Sequence, residues 1–174
     1  MIAHGPYKTP AGFTLAEVLV VLIILGIAAT IMIPMIGNTH DLQASSAVRR
    51  IASSLLYAQT AAITGQVPCQ VVFDTAANSY ELQDENGVPL SDTMTVAGNY
   101  SIDFGSDSRM RAVSIATADF DGSNTVWFDP LGAPYGGSIS DSPPPLNNGT
   151  INVTAGEKTM TVTVEPVTGR ININ

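Results

Sequence analysis

An uninterrupted apolar run near the amino terminus constrains this chain more than any other feature. Residues 18–36 contain no charged side chain and are mostly aliphatic. As a helix, this run would span roughly 28 Å, which is about the hydrocarbon thickness of a bilayer. The run is longer than the apolar core of a secretory signal peptide, and residues 35–45 offer no convincing A-x-A cleavage site. The sequence therefore predicts a retained transmembrane helix over residues 13–37, preceded by a short polar segment, residues 1–12.

From Asn38 onward the pattern changes to that of a helix with one buried face. Apolar residues recur at three- and four-residue steps, which predicts an amphipathic helix that ends near residue 64. Gly65 and Pro68 follow the stripe as stop signals. We expect one long helix over roughly residues 14–64, bent at Pro34. The predicted stripe consists of Val48, Ile51, Ala52, Leu55, Ala58, Ala62 and Ile63.

Beyond Gly65 the periodicity becomes that of strands and turns. The strand candidates are residues 67–74, 79–83, 100–104, 111–116, 125–129, 150–154, 159–166 and 169–174. DGSN at residues 121–124 predicts a hairpin turn, and residues 140–149 predict a loop. No long helical stripe recurs, so the predicted class is α+β. The long N-terminal helix, with a membrane half and an amphipathic half, would pack on an antiparallel β-sheet within a globular domain over residues 38–174.

The composition excludes several classes of function. A formal net charge of -8 would repel phosphate backbones, so we expect no nucleic-acid partner. The single cysteine, Cys69, rules out an internal disulfide and is predicted to be a buried hydrophobe. The histidines and aspartates form no catalytic set, and we predict no metal site and no cofactor. DFDGSN at residues 119–124 lacks the spacing of an EF-hand calcium loop, which leaves only a weak calcium site open.

A carboxylate stands directly before the apolar run, where burial in the bilayer would be costly without a partner. The segment GFTLAEVLVVLIILGIAATIMIP, residues 12–34, resembles the processing and assembly segment of type IV pilins and type II secretion pseudopilins. The resemblance implies that a prepilin peptidase removes the leader, residues 1–12, by cleaving between Gly12 and Phe13, and that it N-methylates Phe13. It also implies that Glu17 pairs with the new terminal amine during assembly. Pro34 falls where the family commonly has a helix-bending proline.

A second resemblance narrows the subfamily. RRIASSLLYAQTAAITGQVPCQVVFD, residues 49–74, resembles the corresponding segment of H-type minor pseudopilins and of FimT/FimU-like minor pilins. Gln59 occupies the position where that pattern usually has arginine. The matching positions are Leu56, Ala58, Ala62, Gly65 and Val67.

These resemblances imply a structural subunit rather than an enzyme. It would be a minor pseudopilin of a type II secretion pseudopilus, held in the cell inner membrane by one span with its C-terminal domain in the periplasm. Its expected partners are prepilin peptidase, other pseudopilins or pilins, the inner membrane and the assembly platform. One alternative is a minor type IV pilin that acts in pilus initiation, since the acidic charge disfavours a role in DNA uptake. A second alternative is a ligand-binding or enzyme domain on a signal anchor.

Overall fold

The computed structural model describes residues 12–32, 39–91, 98–139 and 144–174. Helix α1 covers Leu15–Met32 and helix α2 covers Thr39–Gly65. They belong to two compact units, Met1–Asn38 and Thr39–Asn174. The predicted bend at Pro34, and the continuity of a single helix through residues 33–38, lie outside the described residues.

Nine strands follow α2 in the described part of the chain. They are β1 (Cys69–Asp74), β2 (Ser79–Asp84), β3 (Ser101–Asp103), β4 (Val113–Phe120), β5 (Thr125–Phe128), β6 (Pro134–Gly136), β7 (Gly149–Ala155), β8 (Lys158–Val164) and β9 (Ile171–Ile173). All strand candidates from the sequence are confirmed as strands, and β6 is the addition. Its sequence gave no strand signal because it begins with a proline, which a sheet tolerates at the first position of an edge strand.

The strands pair in two antiparallel sheets. The five-stranded sheet has the order β3-β2-β1-β5-β6, and the four-stranded sheet has the order β4-β7-β8-β9. Every pairing between neighbouring strands is antiparallel. The predicted α+β class is therefore confirmed, with the strands divided between two sheets instead of joined in one.

The turn between β4 and β5 carries the chain from one sheet to the other. Asp121 (φ 56°) and Gly122 (φ 88°) both have the left-handed conformation of a tight two-residue turn. Phe120 and Ser123 exchange backbone hydrogen bonds of 2.8 and 3.2 Å across it. The predicted turn is confirmed, but the two strands it joins belong to different sheets, so it does not close a hairpin within one sheet. The two sheets lie close together here. Gly136 of β6 approaches the Phe120 carbonyl oxygen so closely that a Cβ at this position would collide with it.

Helix α2 buries one face against strands of both sheets. The fully buried positions on this face are Ala44, Ala47, Val48, Ile51, Ser54, Leu55, Ala58 and Ala62. Two members of the predicted stripe lie at its margin, because Ala52 is only partly buried and Ile63 is 43% exposed. The helix ends at Gly65, one residue later than predicted. Gln66, rather than a glycine, takes the left-handed conformation after it (φ 54°).

Ser54 is a fully buried polar residue on the inner face of α2. Its hydroxyl lies 2.9 Å from the hydroxyl of Tyr80 on β2 and 3.2 Å from that of Tyr100. Burial raises the pKa of Tyr80, so the phenol stays protonated and can share a hydrogen bond with Ser54. This polar contact fixes the helix against the five-stranded sheet at one register, since an unpaired buried hydroxyl would be costly.

Candidate assembly site

The residues predicted to be processed lie at the start of α1. Thr14 precedes the helix, and its Oγ1 accepts a hydrogen bond of 3.3 Å from the backbone N–H of Glu17. The Thr14 carbonyl oxygen accepts further bonds from Glu17 (3.0 Å) and Val18 (3.2 Å). Thr14 is thus the N-cap, and Thr14–Glu17 has the spacing of a capping box. A carboxylate in this first turn is also favoured by the positive end of the helix dipole.

The described side chains of α1, up to residue 28, are exposed on every side of the helix. The large aliphatic residues from Leu15 to Ile27 are between 49% and 85% exposed, and Phe13 is 82% exposed. A helix that is apolar all round is typical of one that another structure will cover. Among residues 12–32, 39–91, 98–139 and 144–174, no helix has both the length and the apolar character needed to cross a membrane. The predicted span also includes residues 33–37, which lie outside the described part.

Glu17 has no cationic partner among the described residues, where Arg109–Asp107 is the one ion pair (3.4 Å). The Glu17 side chain is exposed and lines a shallow groove with Phe13, Val18 and Val21. The structure therefore places the predicted cleavage residue and the predicted assembly carboxylate side by side on one helical end.

Gln59 links α2 to two turns by hydrogen bonds. The sequence indicated this residue only because it stands where the family pattern usually has arginine. The Gln59 Nε2 donates to the Gly132 carbonyl oxygen at 2.8 Å and to the Thr168 carbonyl oxygen at 3.2 Å. Gly132 belongs to the turn between β5 and β6, and Thr168 belongs to the turn between β8 and β9. One amide group thus joins the helix to a turn from each sheet.

Glycines allow the two turns to come together at this junction. A Cβ on Gly169 would lie 2.5 Å from Gln59 Nε2 and 2.9 Å from the Gly132 carbonyl oxygen. A Cβ on Gly132 would lie 2.9 Å from Ile63 Cδ1. Both glycines have positive φ, 64° and 85°, so any side chain here would meet steric and conformational strain together.

The turn between β8 and β9 also contains a strained residue. Val167 has a φ of 66°, which is unfavourable for a β-branched side chain, and it is 75% exposed. The backbone N–H of Thr168 donates to the Pro166 carbonyl oxygen at 2.6 Å, which closes a γ-turn around Val167. The bond from Gln59 holds the residue that follows, so the junction helps to maintain this conformation.

In the candidate calcium loop at residues 119–124, the Asp121 carboxylate is engaged in hydrogen bonds within the chain. Both carboxylate oxygens of Asp121 accept backbone N–H groups, from Asn147 (2.8 Å) and Asn148 (2.9 Å). Within the described residues, no group of three or more histidine, cysteine or acidic side chains is placed to hold a metal ion. The Asp121 carboxylate acts here as a structural link between two turns.

Cys69 is 3% exposed, which confirms that it is a buried residue. Burial, with a smaller contribution from the negative charge of Asp84, raises the pKa of the Cys69 thiol to about 11. A thiol with that pKa carries almost no thiolate at neutral pH, so it is not a reactive nucleophile.

Comparison with known families assigns most of the chain. Residues 47–168 match the model of the type II transport protein GspH family. The chain belongs to the GspH family. Residues 8–33 match the prokaryotic N-terminal methylation motif, which covers the predicted cleavage and assembly residues. A comparison with curated protein sequences gave no match.

The fold of this GspH-family chain is also found in two solved structures of minor subunits. The type IV minor pilin FimU of Pseudomonas aeruginosa is 13% identical with a TM-score of 0.50, over 77% of this chain and 90% of FimU. The minor pseudopilin EpsH from the type 2 secretion system of Vibrio cholerae is 13% identical with a TM-score of 0.51, over 76% of this chain and 96% of EpsH. The predicted pilin-like fold and H-type subfamily are confirmed, although Gln59 departs from the usual arginine.

Proposed function

We propose that this GspH-family chain is made as a precursor and becomes a structural minor pseudopilin of a type II secretion pseudopilus. Prepilin peptidase would cleave between Gly12 and Phe13 and then methylate the Phe13 amine. The product would be held in the inner membrane by one span, with the domain from Thr39 onward in the periplasm. It would then enter the periplasmic pseudopilus through contacts of α1 with other pseudopilins at the assembly platform.

The observation that carries this proposal is the succession of two matches along one chain. The methylation motif at residues 8–33 is followed by the GspH match at residues 47–168. A processing segment directly before a GspH domain supports a processed transport subunit and not a signal-anchored enzyme.

The geometry at the start of α1 supports the assembly step. Cleavage would turn the Phe13 nitrogen into an α-amino group close to the Glu17 carboxylate, or to the carboxylate of a neighbouring subunit. A charge transferred into an apolar filament core is destabilising unless it is paired and hydrogen-bonded. The Glu17 carboxylate has no cationic partner among the described residues, so pairing with an amine would remove that cost and also fix the register of the incoming helix.

Variants at three neighbouring positions test processing and assembly separately. Gly12→Val should block cleavage, so mass spectrometry of the membrane form would find residues 1–12 retained. Glu17→Gln should be cleaved normally but should fail to enter the pseudopilus, because it keeps the shape of Glu17 without its charge. Thr14→Val is the matched control, since it removes the capping hydroxyl and should weaken assembly much less than Glu17→Gln. Normal assembly of Glu17→Gln, or of an uncleaved chain, would contradict the proposal.

A minor type IV pilin acting in pilus initiation is the second candidate, because the FimU and EpsH folds fit this chain about equally. Genes encoding a secretin, a secretion ATPase and other minor pseudopilins next to this gene would favour secretion. Neighbouring genes for a retraction ATPase and pilus-tip subunits would favour pilus initiation.

A further inference from the structure

Strand β9 forms one edge of the four-stranded sheet. Its inner side is defined by paired hydrogen bonds of 2.9 Å between Thr161 and Asn174, and by the bond from Glu165 N–H to the Arg170 carbonyl oxygen (2.8 Å). In an antiparallel ladder these groups alternate in direction along the strand. The N–H and C=O groups of Ile171 and Ile173 therefore point away from β8, and no described strand lies on that side.

A groove of about 490 Å³ runs between this edge and α2. Its aliphatic lining includes Ala52 and Leu56 from the helix and Ile171 and Ile173 from β9. Leu56 is 56% exposed and Ile173 is 40% exposed, so two large aliphatic side chains face solvent beside unpaired backbone groups. We refer to this groove, with the outer edge of Ile171–Ile173, as the β9 groove.

The walls of the β9 groove are fixed before any partner arrives. Gln59 lines the groove and bonds the Thr168 carbonyl oxygen, which lies three residues before Ile171. The close packing of Gly169 against Gln59 leaves the turn little freedom to move. A preformed site avoids much of the ordering cost of binding.

The charge of the β9 groove is opposite to that of the whole chain. Arg170 is the one charged residue among those that line it, whereas the chain carries a formal net charge of -8. An occupant with a carboxylate near Arg170 would therefore be favoured over one with a lysine or arginine there.

We propose that the β9 groove binds an extended segment of another protein, which adds to β9 as a further strand. The segment would carry aliphatic side chains at alternate positions, facing Leu56 and Ile173, and a carboxylate near Arg170. A strand fits better than a helix, because only an extended backbone can pair with the outward N–H and C=O groups of Ile171 and Ile173.

The test uses the full-length chain purified in detergent and a short fluorescent peptide of alternating valine and threonine with one glutamate. We expect saturable binding by fluorescence anisotropy, and slower hydrogen exchange of the Ile171 and Ile173 amides in the complex. The same peptide with N-methylated amides on its pairing edge should lose binding, and the peptide with lysine in place of glutamate should bind more weakly. The preference for glutamate over lysine should disappear in Arg170→Ala.

Two variants place the binding in the groove. Ile173→Pro removes an outward N–H without removing a bond to β8, and Leu56→Glu puts a carboxylate in the apolar wall. Each should weaken binding by roughly tenfold, the equivalent of about one lost hydrogen bond or apolar contact. Leu131→Glu is the matched control, since Leu131 is 87% exposed and does not line the groove, and it should bind as the wild type does.

Circular dichroism melting identifies any variant that fails to fold. If Ile173→Pro does not fold, Leu56→Glu and the hydrogen-exchange measurement still test the inference. No binding of the peptide, or equal binding by Leu56→Glu and wild type, would overturn the inference. Self-association of the chain through the groove, with the peptide excluded, would also overturn it, because the occupant would then be a second copy. These measurements do not involve cleavage or assembly, so their failure would leave the proposed function untouched.

Discussion

The two helices of this chain show opposite relations between sequence and surroundings. Helix α1 is aliphatic on every side, and its large side chains from Leu15 to Ile27 are about half exposed or more. Helix α2 has one polar face, and eight residues of its opposite face are fully buried against both sheets. The difference shows that α2 is stabilised by packing within its own chain. The apolar surface of α1 can instead be covered by lipid or by another protein.

The largest expected effect comes from truncating one leucine on each helix. Leu55→Ala on α2 removes a fully buried side chain and should lower the free energy of unfolding by about 2–5 kcal/mol. Leu22→Ala on α1 removes a side chain that is 63% exposed and should change it by less than about 0.5 kcal/mol. Urea unfolding followed by the fluorescence of the single tryptophan measures both. Equal losses would mean that α1 is also packed within the chain.

A rise in pH above about 9 should lower the stability of the folded domain, because Cys69 is buried in its core. The folded pKa of Cys69 is raised from 9.0 to about 11, so the folded state holds this proton more tightly than the unfolded state. Its contribution to stability is complete below pH 9 and is lost as the pH rises towards 11 and beyond, about 3 kcal/mol in total. Thermal melts from pH 8 to pH 11 measure the loss, and Cys69→Ala should reduce it, while buried Tyr80, whose pKa is also raised, still contributes above pH 10. An identical pH dependence in the variant would contradict this assignment.

Removing the Gln59 hydrogen bonds to the two turns should lower the free energy of unfolding by an intermediate amount. Gln59→Ala removes the donor to the Gly132 and Thr168 carbonyl oxygens and should cost about 1–2 kcal/mol. Gln59→Glu has the same shape but places only oxygens against the two carbonyl oxygens, so we expect it to be less stable than Gln59→Ala. Urea unfolding ranks the three proteins, and a Gln59→Glu variant as stable as wild type would show that the bonds contribute nothing.

The smallest expected effect is a gain in stability. Val167→Gly relieves the positive φ of an exposed β-branched residue and should stabilise the domain by about 0.5 kcal/mol, after the added freedom of the unfolded chain is counted. Val88→Gly is the control, because Val88 is 57% exposed and has no positive φ, and this change should destabilise slightly. Differential scanning calorimetry compares the two, and a lower melting temperature for Val167→Gly would show that the turn is not strained.

The local pattern of the sequence was enough to predict most of the elements and the family. Periodicity of 3.6 located the buried face of α2, and alternating residues located every predicted strand. The segment around Gly12 and Glu17 indicated the pilin-like family, because its residue types follow one another in sequence. Spacing did not locate the margin of the buried face, since Ile63 has the right spacing but lies against the turn at Gly132 and remains partly exposed.

The tertiary structure decided what the local pattern could not express. The separation into two sheets follows from where the chain leaves the turn at Asp121, and a turn signal does not specify which strand the chain joins next. Strand β6 forms by pairing with β5, and the Gln59 amide bonds carbonyl groups of two turns that lie 73 and 109 residues away in sequence. Neither partner is visible in the local sequence. The sequence by itself determined which residues are apolar enough to be buried and which segment matches a methylation motif, because these depend on neighbours along the chain. The partners of those residues depend on long-range packing, which only the folded chain determines.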